Sequence, residues 1–138
     1  MFFREKQKNQ SDDNLKKIAA LLIHAAKIDE DYSIKEKEII KQTLLEIGAN
    51  EENIDEIMKD GSEIEQNSNQ ILEFTKKVKI MDEDNKIRIV ETLWRIIYSN
   101  KAADVYETSL MRRLAGLLYI DSKIMGDIKE RIKKEYSA

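Results

Sequence analysis

The stretch IDEDYSIKEKEII, residues 28–40, gathers acidic and hydroxyl side chains between apolar anchors. Asp29, Asp31, Ser33 and Glu36 all offer oxygen, the donor that Ca²⁺ and Mg²⁺ prefer. A calcium loop of the EF-hand kind needs oxygens at loop positions 1, 3 and 5, glycine at 6 and a bidentate glutamate at 12. Counted from Asp29, position 6 is Ile34 and position 12 is Ile40. A second acidic run, DEDNKIRIVETL from Asp82, fails at the same two places. The EF-hand is excluded. The same residues also fit a capping box: in Ser33-x-x-Glu36 the hydroxyl accepts the amide of the third helical residue, and the glutamate accepts the amide of the cap. Asp104-x-x-Glu107 repeats the spacing. Each cap contributes roughly 1 kcal/mol, enough to fix where a helix starts. Capping is the preferred reading, and it leaves Asp29 and Asp31 as solvated loop charges.

Other chemistry is sparse. The single histidine, His24, falls at the edge of an apolar helical face with Leu21 and Ile28, where a packed ring is commoner than a general base. Without cysteine the chain has no disulfide, thiolate ligand or thiol nucleophile. No serine sits in a nucleophile elbow and no glycine-rich loop cradles phosphate. Carboxylates are plentiful, but no spacing sets the pKa of one against another. Catalysis is not expected. Arg112, Arg113 and the ending KIMGDIKERIKKEY suggest an anionic partner at first, yet Glu130 and Lys134 stand four apart and acids interrupt the run, as on a solvated helix surface. Trp94 with Tyr98 could wall a ligand pocket; at the centre of the most apolar helix a core anchor is the preferred reading.

These residues need a scaffold, and the composition says which kind. The 138 residues suffice for one domain with a real core. A hydrophobic fraction of 41% separates the chain from disordered sequences, although 37% is charged. With no proline and four glycines, little interrupts a succession of helices. A net charge of −3, mixed in sign, argues against a nucleic-acid surface. The N-terminus, MFFREKQKNQSDDN, has no apolar core for a signal peptide, and IAALLIHAAKI is too short to span a bilayer. A cytoplasmic protein is expected, with peripheral membrane contact through Phe2 and Phe3 as a minor alternative.

Residues 1–11 read as a flexible tail and 12–138 as one helical domain. Apolar residues at Leu15, Ile18, Ala19, Leu22, Ala25 and Ala26 predict a first helix capped by Ser11, Asp12 or Asp13. A second helix follows Ser33, buries Ile39, Ile40, Thr43, Leu44 and Ile47, and stops at Gly48. Asn50 caps a third, bearing Ile54, Ile57 and Met58 and closing at KDGS; a fourth starts near Ser68. Residues 84–98 form the central helix, Asp104 caps the next, and Asp121 or Ser122 the last, with Ile124, Ile128 and Ile132 inward. No strand-like alternation occurs. The expected fold is all-α, with about seven helices.

A shift of 71 residues brings the two ends of the chain into step. Ile39, Ile40, Thr43, Leu44 and Ile47 land on Leu110, Met111, Leu114, Ala115 and Leu118. Leu22 lands on Leu93, Ile57 on Ile128, and Glu36 on Glu107. The caps correspond as well, Ser33 with Asp104 and Asn50 with Asp121. Two units of the same layout, facing each other, would bury both stripes.

This layout, with KIDEDYSIKEKEII and YSNKAADVYETSLMRRLAGLL as its two loop-helix segments and LWRIIYS before the second, resembles the TerB-like domain of tellurite-resistance proteins. It is also similar to the N-terminal domain of DjlA-type membrane co-chaperones. The resemblance runs from about Leu15 to Lys134 and implies an all-helical domain in which acidic loop positions gather divalent metal. Carried over, the ligands would be Asp29, Glu36, Asp104 and Glu107, holding Ca²⁺ or Mg²⁺. The chain departs from the pattern at Glu30 and Lys101, which replace glycine, and at Asn100, which replaces the second acid. The resemblance implies a non-catalytic module that contacts other proteins in a stress-response or membrane-associated assembly. The alternative is a divalent-metal-binding protein that uses both acidic loops.

Overall fold

The computed structural model describes residues 2–27, 33–67, 72–99 and 105–137. Among them lie seven helices and no strand: α1 (Phe2–Ala26), α2 (Ile34–Ile47), α3 (Ile54–Gln66), α4 (Leu72–Lys79), α5 (Glu83–Ser99), α6 (Val105–Leu117) and α7 (Ser122–Ser137). The all-α expectation holds. In α1, Leu15 and every residue from Ile18 to Ile23 is buried, as are Ala25 and Ala26. A helix apolar around its circumference must be enclosed, and α2, α3, α4 and α5 all pack on α1. The partly buried Ile39 and Leu110 pack against the same core.

Helical backbone runs from Phe2, so there is no break at residue 11, where the sequence placed the end of a tail, and no start at Ser11–Asp13. The intervening residues hold no proline or glycine and several good helix formers, Arg4, Glu5, Lys6 and Gln7 among them.

The repeat is written in backbone geometry. Gly48 takes φ 141° after α2, and Tyr119, 71 positions on, takes φ 56° after α6; these are the positive-φ residues among those described. The amide of Ala49 donates to the Leu44 carbonyl at 2.9 Å, and that of Ile120 to Ala115 at 3.0 Å, again 71 positions apart. Both helices therefore close through the six-to-one bond of a Schellman-type ending. In each unit the first and third helices are close partners, α1 with α3 and α5 with α7. The correspondence ends with α4, which has no counterpart and packs on α1 and α6.

Two further expectations are corrected. Gly61 does not end the third helix, which runs to Gln66; it lies buried where α3 crosses α1. A Cβ there would stand 2.6 Å from the Ala19 Cβ and 3.0 Å from the Lys16 carbonyl oxygen, so glycine is required by the approach of the two backbones. Beside it the Lys16 Nζ reaches Asp60 at 3.0 Å, and that hydrogen bond raises the lysine pKa. In α7 the inward stripe is Met125, Ile128 and Ile132, while Ile124 is 42% exposed. Steps of three and four from Met125 follow the turn of a helix more closely than repeated steps of four.

Gly61→Ala should lower stability by about 1–2 kcal/mol, overpacking outweighing the gain in helix propensity. Gly116→Ala, where the added Cβ meets nothing within 4 Å, should raise it by about 0.5–1 kcal/mol. Urea unfolding of the two variants measures both.

Candidate functional site

Two places could carry chemistry, and the first is the corner preceding α2. Ser33, extended at φ −80° and ψ 164°, is the N-cap. Its hydroxyl accepts the Glu36 amide at 3.2 Å, while its amide and hydroxyl donate to Glu36 Oε1 at 2.9 and 3.0 Å. The capping box is formed as the sequence spacing required. Glu36 is fully buried, which makes these bonds matter: a polar group out of water depends on partners held against it. One face further along α2, the buried Thr43 hydroxyl meets that of Thr92 on α5. Each hydroxyl also approaches a carbonyl in its own helix, Ile39 and Arg88 respectively. The polar seam ties the first unit to the second.

Of the four candidate metal ligands, Asp29 and Asp104 lie outside the described residues, with Asp31, Asn100 and Lys101. Glu107 falls in the first turn of α6, and its side chain is likewise outside them. The described residues contain no cluster of three acid, histidine or cysteine side chains suited to a metal ion. As arranged here, Glu36 fits a cap better than a ligand, because Oε1 is taken up by Ser33. Two other oxygen-rich starts are caps: Asp82 accepts the Asn85 amide before α5, and Asp121 the Lys123 amide before α7. The cap expected at Asn50 is corrected: the N-cap of α3 is Asn53, with no side-chain bond, and Asn50 accepts the amides of Glu52 and Asn53 in the turn before it. His24 is half-buried, its Nδ1 at 3.4 Å from Glu65, which also accepts from Lys27 at 2.9 Å. The histidine thus fastens α1 to α3.

The second place was hidden by a correct reading. Trp94 is a core anchor, 2% exposed and stacked on Tyr98 with centroids 5.9 Å apart. It also lines a cavity of about 220 Å³ between α5, α6 and α7. Met111 and Met125 add apolar wall, and Arg112, Ser122 and Lys129 add polar groups. No carboxylate lines it among the described residues. The Lys129 Nζ lies 5.5 Å from the centre of the indole. The indole Nε1 is buried and has no hydrogen-bond partner among the described residues, a condition that costs roughly 1–3 kcal/mol. Periodicity marks a tryptophan as inward but says nothing of where its one donor goes.

Helices α5 and α7 are cross-braced. Arg95 donates to both oxygens of Glu135, and Arg131 donates to Glu91 at 2.9 Å. The Glu135 bonds raise the Arg95 pKa. Burial raises that of Tyr98, and the charge of Glu130 adds to it.

Set beside known families, residues 16–130 match the family model described as tellurite resistance protein TerB. No curated protein and no solved structure matches the chain.

Ser33→Ala should cost about 1 kcal/mol of stability, and Ser33→Gly only a few tenths. Amide hydrogen exchange over residues 34–37 should accelerate most in the alanine variant, and equal protection in both would remove the capping account.

Proposed function

This chain belongs to the TerB family, and from that premise we propose that it is a non-catalytic helical module acting through contacts with other proteins in a tellurite-resistance-type stress response. The observation that carries the reading is the family match over residues 16–130, which takes in both helical units. The side-chain chemistry supports it. Glu36, the one acid of the four whose side chain lies among the described residues, is used in a helix cap, and the lone histidine is held in an interhelical contact with Glu65. No helix among the described residues is long and apolar enough to cross a membrane. A cytoplasmic location is part of this proposal. The contacts would be made by exposed helix surfaces of mixed charge, where Ile34 and Ile80 also stand largely free of the core.

A second reading, a divalent-metal-binding protein using Asp29, Glu36, Asp104 and Glu107, is favoured by one feature, the full burial of the Glu36 carboxylate at the acidic corner. Against it stands the bond from Ser33 to the oxygen a cation would seek. A metal bound there would supply a local positive charge beside the Glu36 carboxylate.

Two measurements separate the readings. Removal of the coding gene from its host should lower tolerance of tellurite, with restoration by the native chain and also by a Glu36→Gln variant that remains folded; unchanged tolerance rejects the first reading. Thermal melts with Ca²⁺ or Mg²⁺ address the second. A ligand at a hundred times its Kd stabilises by about 2.7 kcal/mol, so a melting temperature indifferent to millimolar metal rejects metal binding.

A further inference from the structure

The internal repeat offers a reference for the cavity beside Trp94, because each lining residue has a counterpart 71 positions earlier. Trp94 corresponds to Ile23, Met111 to Ile40, Ala115 to Leu44, and Met125 to Ile54. In the first unit those four counterparts are buried core residues, none more than 3% exposed. The second unit keeps the backbone plan and changes the filling. Ala115 is three carbons shorter than Leu44, and the apolar Met58 becomes Lys129. A space closed by leucine in one unit is therefore open in the other.

Among the described residues, the charged groups lining that space are of one sign. Trp94 lines it through ring carbon, its N–H being closed off from water and without a partner among the described residues. Arg112 and Lys129 are cations, and neither is in an ion pair among the described residues. Ser122, the first residue of α7, contributes a hydroxyl beside the positive end of that helix's dipole. The nearest helix-start acid, Asp121, accepts the Lys123 amide and is not part of the lining. Met111, Met125 and the indole face supply apolar surface. An apolar recess with a few convergent donors is how small-ligand sites are built.

We propose that the α5–α6–α7 cavity is a binding site for a small organic anion, with an apolar body against Met111, Met125 and the indole ring and an anionic oxygen facing Arg112, Lys129 and the Ser122 hydroxyl. The ligand class is a carboxylate carrying a short aromatic or alkyl group, which matches an apolar recess of about 220 Å³ beside two cations. This site is independent of the tellurite reading, and either can fail alone.

The chain holds one tryptophan, so a single indole N–H resonance in a ¹⁵N–¹H correlation spectrum reports on the cavity. The full chain is titrated with 3-phenylpropionate, with its neutral amide and with inorganic phosphate. Saturable movement of the indole N–H by 3-phenylpropionate is expected, with binding at least about tenfold tighter than for the amide or phosphate. No saturation by 20-millimolar-order acid, or equal binding of acid and amide, overturns the proposal; equal binding of phosphate removes the apolar half and overturns it too. Ala115→Leu, which copies the filling of the first unit, should abolish binding while the melting temperature stays level or rises. Arg112→Gln with Lys129→Gln should weaken it by at least about tenfold. A folded double variant that binds as well as the native chain also overturns the assignment.

Discussion

The enclosure of α1 is the constraint from which the rest of the molecule follows. From Leu15 to Ala26 the helix presents apolar side chains in nearly every direction, and each large one is worth about 1.5–3 kcal/mol only if it is taken out of water. Two neighbours cannot cover such a surface, and here four do. Size is graded accordingly. Where α3 comes nearest, α1 offers Ala19 and Ala20, and α3 answers with Gly61. Where space is larger, Leu21, Leu22 and Ile23 fill it. The polar fastenings sit around this contact, with Lys16 on Asp60 and with His24 and Lys27 on Glu65. They settle how α1 and α3 lie, while burial supplies the attraction.

Much of this was legible in the sequence because it depends on periodicity and on short-range rules. Apolar spacing and the near absence of breakers give an all-helical chain. Ser33-x-x-Glu36 gives the start of α2, and Gly48 its end. The 71-residue shift foretells the layout of α5–α7, down to the residue at which α6 begins, Val105 against Ile34. The errors occur where a local rule met a tertiary need. Glycine usually ends a helix, but Gly61 answers a backbone approaching from 42 residues away, a fact local to neither segment. Ile124 is more hydrophobic than its surroundings demand, and Met125 points inward because α7 must meet α5 along Met125, Ile128 and Ile132. Ser11–Asp13 have cap chemistry, yet a cap marks a start only where continuing the helix is worse, and nothing upstream opposes it.

The candidate site was legible only in its capping half. Glu36 was found as one of four acids, and its cap partner follows from spacing alone. The cavity could not be read in that way. It is made of residues each unremarkable where it stands: a buried tryptophan, two methionines, an alanine at a core position, a lysine on an amphipathic helix. Its signal is a difference between aligned positions of the two units rather than any motif within one.

The two units use one backbone plan for unlike purposes, and the differences share a direction. At the position after the second helix, Gly48 meets its positive φ without a side chain, whereas Tyr119 meets it with a ring that lies 4.2 Å beneath the Lys79 ammonium. That contact, including a hydrogen bond from the lysine, lowers the tyrosine pKa. Leu15 packs by Gly48 through carbon alone, while Lys86, its counterpart, buries its stem and donates from Nζ to the Leu118 carbonyl at 3.0 Å. Carbon at Leu15, Leu44 and Met58 becomes nitrogen or empty volume at Lys86, Ala115 and Lys129. Both units bury apolar residues in the shared core, so the exchange of carbon for polar groups is confined to a few matched positions at the edge of the second.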